Sequence, residues 1–365
     1  MIRVGMVGLG KMGLSHHAIF NAHPGVRVAG VCDSSRYVLS VLGKYTDVDT
    51  YSDYEAMLEQ VPLDAVVIAT PSSAHTGMVT AALERGLHVF CEKPLTLDPE
   101  ESETLASTAQ ERGLATQAGY HNRFVATFRE VKKLVDSGVL GDLHQVTGEA
   151  YGPVILESQG RTWRSRRAEG GGCLYDYAAH VINLINWYCG TPSGVGGTAL
   201  PSLFSRDTDD AALSTLYFDS GLTGQLTVNW SDESYRKMTT RITLRGSNGR
   251  IYADRQEIQV YLRDASLAPE AYGEGWNVRY TTELTPPVWF YLRGEEYSEQ
   301  VDAFVRRATE GAVEGTNDFA GAAMTDRTIA MMVADAARGP STARENGDVP
   351  VKRRRRRLLA RRASA

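Results

Sequence analysis

The sequence IRVGMVGLGKMG at residues 2–13 places a short apolar run directly before the pattern Gly-x-Gly-x-x-Gly, and an amphipathic stretch follows it. This order is typical of the first strand, turn and helix of a nucleotide-binding parallel sheet. Gly8 permits the tight turn, Gly10 lets a pyrophosphate approach the backbone, and Gly13 lets the helix pack on the strand. Asp33 ends the next apolar run, 20 residues after Gly13, where a carboxylate can bond ribose hydroxyls. The stretch predicts a dinucleotide site.

Asp33 also bears on which dinucleotide binds. Its negative charge would repel a 2′-phosphate, which favours NAD over NADP. Ser34, Ser35 and Arg36 follow directly, and hydroxyls beside an arginine could accept that phosphate. NAD is the predicted cofactor, and NADP stays open as the alternative.

The first 120 residues alternate short apolar runs with amphipathic stretches. The predicted strands cover residues 2–7, 26–32, 65–69, 88–91 and 115–118. The predicted helices cover residues 12–22, 35–44, 54–60, 74–85 and 99–112. Strands separated by helices predict an α/β Rossmann domain with a parallel, doubly wound sheet.

The pattern changes after about residue 143, beyond a helix predicted over 128–137. Residues 225–230 and 241–245 alternate apolar and polar side chains, and Ser247-Asn-Gly-Arg250 predicts a hairpin turn. We therefore expect an α+β domain with an antiparallel sheet, closed by helices near 296–308 and 319–337. The predicted divisions are a dinucleotide-binding domain at 1–122, a second domain at 123–340 and a basic tail at 341–365.

Charge and composition narrow the class of protein. The net charge is -5, but residues 352–365 carry eight basic residues and no acidic one. The rest of the chain is therefore strongly acidic, which argues against nucleic-acid binding, and the tail is expected to be disordered.

The longest apolar runs fall short of a membrane span, and the start does not resemble a signal peptide. The four cysteines, Cys32, Cys91, Cys173 and Cys189, lie far apart, which fits a reducing cytoplasm and not a disulfide framework or a zinc site.

Further motifs follow the glycine turn in a fixed order. They are Ala69-Thr-Pro71 with His75 four residues on, Glu92-Lys93-Pro94, Trp163-Arg164, and Gly170-Gly-Gly-Cys-Leu-Tyr-Asp176-Tyr-Ala-Ala-His180. From residue 2 to about residue 335 the chain resembles the Gfo/Idh/MocA family of NAD(P)-dependent sugar and cyclitol oxidoreductases.

The resemblance implies roles for individual residues and an architecture for the second domain. It implies catalytic roles for Lys93, Asp176 and His180. Its predicted cofactor-binding residues are Gly8, Leu9, Gly10, Lys11, Met12, Gly13, Asp33, Ser34, Arg36, Thr70, Pro71, His75, Glu92, Lys93, Asn122, Trp163 and Arg164. Its predicted substrate-binding residues are Lys93, Arg123, Asp176, His180 and Tyr291. Family members build the second domain on an open, mostly antiparallel sheet and often oligomerise through it, so we expect a homodimer or homotetramer. Asn183 departs from the family, which often has Asp three residues after the histidine.

The chemistry of alcohol oxidation agrees with these residue types. It requires a base for the hydroxyl proton, a hydride acceptor and a positive group near the developing alkoxide. Asp176 and His180 are four residues apart and would share a helix face, so the carboxylate could orient the imidazole or bond a second substrate hydroxyl. An ordinary histidine pKa near 6.5 suits a base at neutral pH. Lys93 follows a parallel strand, at the edge where ligands of such sheets bind. No histidine or cysteine spacing predicts a metal site.

The sequence restricts the substrate less well. Residues 8–16 and 289–297 resemble the nucleotide-sugar branch of the family, whose members oxidise a sugar 3-hydroxyl in aminosugar, antibiotic or polysaccharide biosynthesis. Arg161, Arg164, Arg166 and Arg167 could meet phosphates, or could belong to a solvated loop. The alternatives are an inositol or free-sugar dehydrogenase, an NAD-dependent glycosidase, or a non-catalytic NAD-sensing regulator.

Overall fold

A computed structural model describes residues 1–157 and 162–339 of the chain. The predicted basic tail and Arg161 lie outside the described residues. The described residues form two β-sheets, one of six strands and one of eight, with helices packed against them.

The first sheet is wholly parallel and has the strand order β3-β2-β1-β4-β5-β6. Its strands are β1 (Ile2–Val7), β2 (Val26–Cys32), β3 (Asp49–Tyr51), β4 (Ala65–Ile68), β5 (His88–Cys91) and β6 (Thr116–Ala118). The connecting helices are α1 (Lys11–Ala22), α2 (Arg36–Tyr45), α3 (Tyr54–Gln60), α4 (His75–Glu84) and α5 (Pro99–Glu111). The predicted doubly wound α/β sheet is confirmed. The chain reverses direction across the sheet between β1 and β4, so the loops after these strands border one crevice, which is the ligand site of such sheets.

β3 is the strand of this first sheet that the sequence did not predict. It has three residues at the edge of the sheet, and none of them is fully buried. A strand this short and this exposed carries no apolar pattern from which it could be recognised.

The second sheet has the order β14-β13-β12-β11-β7-β10-β9-β8 and is antiparallel except between β7 and β10. Its strands are β7 (Leu143–Tyr151), β8 (Gly194–Ala199), β9 (Ala211–Tyr217), β10 (Thr223–Asn229), β11 (Thr239–Gly246), β12 (Gly249–Ala253), β13 (Glu257–Leu262) and β14 (Gly275–Tyr280). The expected open, mostly antiparallel sheet is confirmed.

The predicted hairpin exists, but its turn lies one residue earlier than the Asn-Gly pair suggested. Gly246 pairs with Gly249, so Ser247 and Asn248 form the turn. A Cβ on Gly249 would lie 2.1 Å from the carbonyl oxygen of Tyr261 on the next strand. The glycine is therefore required by strand packing and not by the turn.

The helices that follow β6 in the chain cover both sheets. They are α6 (Ala126–Asp136), α7 (Ala179–Cys189), α8 (Thr281–Leu284), α9 (Glu295–Glu310) and α10 (Phe319–Arg338). Helix α7 packs on the second sheet, where a Cβ on Gly148 would lie 2.4 Å from Val181. Helix α9 returns to the first sheet, with the ring of Phe304 centred 5.8 Å from that of Phe90 and 6.2 Å from that of Phe20. The two sheets thus share helices, and the start of α7 lies beside the strand ends of the first sheet.

No helix among the described residues is long and apolar enough to span a membrane.

Candidate active site

The turn after β1 has the geometry that a dinucleotide requires. Gly8 has a φ of +82°, and a Cβ on it would lie 2.7 Å from the carbonyl oxygen of Ala69. A Cβ on Gly13 would lie 1.8 Å from the carbonyl oxygen of Gly8. A Cβ on Gly10 would meet no atom within 4 Å, and no side chain caps the first turn of α1, which begins at Lys11. Open space beside uncapped backbone N–H groups is what a pyrophosphate requires, so these residues fit the cofactor.

Asp33, the residue after β2, is hydrogen-bonded to this turn. Its Oδ2 accepts a hydrogen bond from the backbone N–H of Leu9 at 2.5 Å, and its Oδ1 accepts one from Ser35 at 2.7 Å. Ser34 and Arg36 are exposed on either side of Ser35. Met12 is half-buried, whereas Leu9 is buried in the core of the first sheet. The carboxylate is thus oriented at the position predicted to face a ribose.

The loops after β4 and β5 are joined by His75, which is fully buried. Its Nδ1 lies 2.9 Å from the carbonyl oxygen of Pro94, and its Nε2 lies 3.1 Å from that of Thr70. Burial lowers the pKa of His75, although these carbonyl contacts oppose the shift. Pro71, one residue after Thr70, is exposed at the same edge. Because His75 has no exposed surface, it can affect a ligand here only through the loops it ties together.

Glu92 and Lys93 follow β5 and contact different partners. The Nε2 of His16 lies 2.7 Å from Oε1 of Glu92, and the backbone N–H of Lys93 donates to Oε2 of Glu92 at 3.2 Å. Burial acts to raise the pKa of Glu92, but the hydrogen bond from His16 and the charge of Lys93 outweigh it and hold that pKa below its usual value. His16 was not among the site residues predicted from the sequence.

The side chain of Lys93 reaches the second half of the chain. Its Nζ lies 2.6 Å from Oδ1 of Asp176, whose Oδ2 accepts from Nε of Arg164 at 3.0 Å. Burial acts to raise the pKa of Asp176, but the charges of Lys93 and Arg164 and their hydrogen bonds hold it below its usual value. The carboxylate is therefore ionised between two cations.

Asp176 and His180 do not pair as their spacing predicted. Residues Leu174–Ala178 form a π-helical turn ahead of α7, so the two are not at consecutive turns of an α-helix. Lys93 and Arg164 occupy the oxygens of Asp176, and Nδ1 of His180 is buried without a hydrogen-bond partner among the described residues.

The expected histidine pKa near neutrality is also corrected. Burial, together with the charges of Lys93 and Arg255, lowers the pKa of His180 well below its ordinary value of 6.5. A charged imidazole would lose its hydration in this position and would face two cations. His180 is therefore a neutral imidazole at neutral pH, which is the form that can accept a proton.

The glycine run before Asp176 brings the Trp163–Ser165 turn against this cluster. A Cβ on Gly171 would lie 2.4 Å from the carbonyl oxygen of Arg164. The guanidinium of Arg164 lies 4.6 Å from the ring centre of Trp163 while it bonds Asp176. The motifs Trp163-Arg164 and Gly170-Gly-Gly are therefore parts of one contact.

Four further residues border the cluster and were not identified from the sequence. The ring of His121 is centred 4.8 Å from that of His180 and is stacked on Tyr297 at 4.8 Å. Arg255, on the turn between β12 and β13, bonds the buried carboxylate of Glu296. These contacts join segments far apart in the chain, so no local pattern predicts them.

Three other residues were predicted to bind the cofactor or the substrate, and the structure places them at different distances from this cluster. Asn122 is buried and accepts a 3.4 Å hydrogen bond from Arg255 at the border of the cluster. Arg123 points elsewhere, because its Nε donates to Oδ1 of Asn183 at 2.7 Å and its guanidinium lies over Trp187. Tyr291 is 65% exposed on the segment before α9. The structure thus does not bring Arg123 or Tyr291 to Lys93 and Asp176.

Among the residues that the structure describes, no group of three or more His, Cys, Asp or Glu side chains is placed to hold a metal ion.

Comparison with known families gives two matches that together cover more than half of the chain. Residues 2–120 match a family described as an oxidoreductase family with an NAD-binding Rossmann fold. Residues 128–252 match the GFO/IDH/MocA C-terminal domain.

The individual relatives of known activity share less than a third of their aligned residues with this chain. A D-glucoside 3-dehydrogenase of Escherichia coli (strain K12) is 29% identical over 53% of this chain and 55% of its own length. A scyllo-inositol 2-dehydrogenase (NAD(+)) of Bacillus subtilis (strain 168) is 29% identical over 62% of this chain and 66% of its own. The chain thus matches between about half and two thirds of the length of these relatives. Among solved structures, a levoglucosan dehydrogenase in complex with NADH has a TM-score of 0.82, 21% identity, and coverage of 93% of this chain and 98% of its own, which shows the same fold.

Proposed function

This chain belongs to the Gfo/Idh/MocA family of oxidoreductases, and from that premise we propose that it is an NAD-dependent dehydrogenase for a secondary hydroxyl of a sugar or cyclitol. The proposal rests above all on the pair between Lys93 and Asp176, whose Nζ and Oδ1 atoms lie 2.6 Å apart. His180 lies on the first turn of α7, four residues after Asp176, as a neutral imidazole. A fixed cation, an ionised carboxylate and a neutral base form the set that alcohol oxidation requires.

Each side chain has one task in this proposal. Bound NAD would supply the acceptor for the hydride that leaves the carbinol carbon. His180 accepts the hydroxyl proton, since it is uncharged at neutral pH. The ammonium of Lys93 holds the substrate oxygen and stabilises it as negative charge develops. Asp176 remains ionised and positions that ammonium, while Arg164 fixes the second carboxylate oxygen.

The glycine turn and Asp33 are proposed to hold the cofactor. The N–H groups at the start of α1 and the open space over Gly10 suit the pyrophosphate. Asp33, oriented by the amides of Leu9 and Ser35, suits a ribose and disfavours a 2′-phosphate.

We further propose that the sugar is oxidised at its 3-hydroxyl and carries a nucleotide. The support for the nucleotide is Arg293, one of three basic side chains near His121; the other two, Lys93 and Arg255, already pair with Asp176 and Glu296. The guanidinium of Arg293 lies 5.5 Å from the ring centre of Tyr297 and has no acidic partner within residues 1–157 and 162–339. An arginine without an acidic partner among these residues suits a phosphate.

A second candidate is an uncharged substrate, either an inositol or a free glucoside. The names of the Escherichia coli and Bacillus subtilis relatives favour it. An NAD-dependent glycosidase would use the same residues for a transient oxidation. A regulator without turnover is disfavoured, because it would not need the buried pair of Lys93 and Asp176.

Self-association through the second sheet is proposed as well. Strand β14 exposes Trp276, Val278 and Tyr280 at alternate positions, so the three side chains lie on one face. Light scattering of the purified protein would give a dimer or tetramer if this face is an interface, and a monomer if it is not.

The test of function is a substrate panel followed by the absorbance of NADH. It contains UDP- and dTDP-sugars, inositols and alkyl glucosides, with NAD or NADP, and the Lys93→Met variant as the inactive control. The proposal expects NAD reduction by at least one secondary alcohol, with nucleotide sugars preferred. Preference for inositol or a glucoside would favour the second candidate, and no reduction by any compound would contradict a dehydrogenase.

A further inference from the structure

A buried histidine joins the helix of the dinucleotide turn to the candidate catalytic lysine. His16 lies on α1, three residues after Gly13, and is 1% exposed. Its Nε2 lies 2.7 Å from Oε1 of Glu92, and Oε2 of Glu92 accepts the backbone N–H of Lys93 at 3.2 Å. A continuous line of hydrogen bonds therefore runs from α1 to the backbone of Lys93, whose Nζ lies on Asp176.

Both members of this link are held in place by packing. A Cβ on Gly119 would lie 2.6 Å from Oε2 of Glu92, so the carboxylate lies directly against the chain there. The ring of His16 is centred 4.9 Å from that of Phe90 in a T-shaped contact. The contact geometry leaves the carboxylate little freedom to turn, and its Oε1 has His16 as its partner.

We propose that His16 is a positioning residue for the dehydrogenation. Acting through Glu92, it fixes the backbone at Lys93, so that the distance between the dinucleotide turn and the substrate-holding ammonium stays constant. The inference rests on the proposed function for its effect on turnover. It goes beyond that function because the side chain of His16 contacts Glu92 and none of Lys93, Asp176 and His180, the side chains assigned to the chemistry.

The same helix offers a matched histidine. His23 follows the end of α1, is also buried, and lies 3.3 Å from the carboxylate of Asp302. Asp302 is 47% exposed on α9 and has no contact with Lys93 or Asp176. A substitution of His23 is therefore the matched control, because it removes a histidine–carboxylate contact at the end of α1 that does not lead to Lys93.

The decisive experiment compares His16→Gln with His16→Asn. Both replacements are polar and fit a buried position, but only the glutamine amide reaches the place of Nε2, whereas the asparagine amide reaches that of Nδ1. Nδ1 of His16 is buried and has no partner among the described residues. We expect His16→Gln to keep kcat within about threefold of wild type and His16→Asn to lose about tenfold or more, since a displaced reacting group costs factors of this size.

Two readouts separate positioning from damage to the fold. The dissociation constant of NAD should change by no more than about threefold in either variant, because the glycine turn and Asp33 are untouched. The acid limb of the pH–rate profile should move to higher pH in His16→Asn, because Glu92 stays buried and loses the hydrogen bond that lowers its pKa. The titratable groups that face Glu92 are His16, Lys93, His75, Cys91, Tyr120 and Tyr297.

A third readout is independent of any sugar. Acetylation of Lys93 by acetic anhydride, followed by mass spectrometry, should be faster in His16→Asn than in wild type and unchanged in His23→Asn. Equal kcat in the glutamine and asparagine variants would overturn the inference, as would unchanged labelling of Lys93. If the wild type oxidises no sugar, the proposed function fails, and the labelling result alone decides whether His16 holds Lys93.

Discussion

The Nζ of Lys93 lies 2.6 Å from Oδ1 of Asp176, although the two residues are 83 positions apart in the chain. Lys93 follows the fifth strand of the parallel sheet, and Asp176 precedes the helix that covers the antiparallel sheet. The two side chains are 11% and 12% exposed. Solvent screens such a pair weakly, so removal of one partner leaves a buried charge uncompensated. The contact therefore joins the loop after β5 to the segment before α7 and orients the ammonium.

Asp176→Asn should reduce turnover by about 100-fold or more, because Lys93 loses the ionised group that positions it. The affinity for NAD should remain near that of wild type, which fluorescence titration can measure beside the steady-state rates. Asp64→Asn is the matched control, since it removes a half-exposed carboxylate that pairs with Arg3 and not with Lys93. An Asp176→Asn enzyme as active as the control would show that the carboxylate does not position Lys93.

Gly10→Ala should separate cofactor binding from folding. Its φ of −67° suits alanine, and the new Cβ would meet no atom within 4 Å, so the melting temperature should stay near that of wild type. The methyl group would occupy the space assigned to the pyrophosphate, and the dissociation constant of NAD should rise at least tenfold, about 1.4 kcal/mol. Gly13→Ala should lower the melting temperature as well, because its Cβ would lie 1.8 Å from the carbonyl oxygen of Gly8. Unchanged NAD affinity in Gly10→Ala would exclude this path for the pyrophosphate.

The pH dependence of kcat/KM should show no protonation step near 6.5, the ordinary histidine value. Burial and the charges of Lys93 and Arg255 lower the pKa of His180, so the base stays neutral through pH 6.5 and loses activity only at lower pH. Rates measured from pH 5 to pH 9 on the best substrate test this. An acid limb centred at the ordinary histidine value would mean that His180 is hydrated in the active enzyme.

Asp326→Asn should make the protein more stable at alkaline pH. Asp326 lies on α10, where its carboxylate accepts a 2.8 Å hydrogen bond from Ser102, and burial raises its pKa from 3.8 to about 7. The folded state therefore binds the proton more tightly than the unfolded chain. This tighter proton binding stabilises the fold fully below pH 3.8, the pKa of Asp326 in the unfolded chain. The stabilisation declines as pH rises and is lost above about pH 7.

Asparagine imitates the protonated acid at every pH. The difference in melting temperature between Asp326→Asn and wild type should be smallest near pH 4, grow until pH 7 and then remain constant. Thermal unfolding at one-unit steps from pH 4 to pH 9 measures this difference. A difference that does not vary with pH would mean that Asp326 titrates as an exposed carboxyl.

The sequence predicted those parts of the site that are contiguous in the chain. Gly8, Gly10 and Gly13 follow a strand, and Lys93 follows another, so their meeting at one sheet edge follows from the parallel topology. Arg255 could not be predicted, because it reaches Asn122 from a turn 133 residues further on. The same holds for the stacking of His121 on Tyr297, which requires α9 to return to the first sheet.

The sequence also led to three wrong predictions. Asp176 and His180 have the spacing of an α-helical pair, but a π-helical turn and the competing cations separate their functions. The pKa of His180 depends on burial, which is a property of the folded chain and not of the motif. Arg123 has a side chain suited to a substrate, yet its guanidinium is bonded to Asn183, a contact made only by the folding of α7.

The measurement that tests the central claim most directly is the turnover of Lys93→Met beside its affinity for NAD. Methionine keeps the length of the side chain and removes the ammonium that lies on Asp176. The account predicts a loss of about 100-fold or more in kcat, the usual scale for removal of a charge-stabilising group, with an NAD dissociation constant near that of wild type. A Lys93→Met enzyme that turns over the same sugar at the wild-type rate would contradict the account, because the contact between Lys93 and Asp176 would then not be where the chemistry occurs.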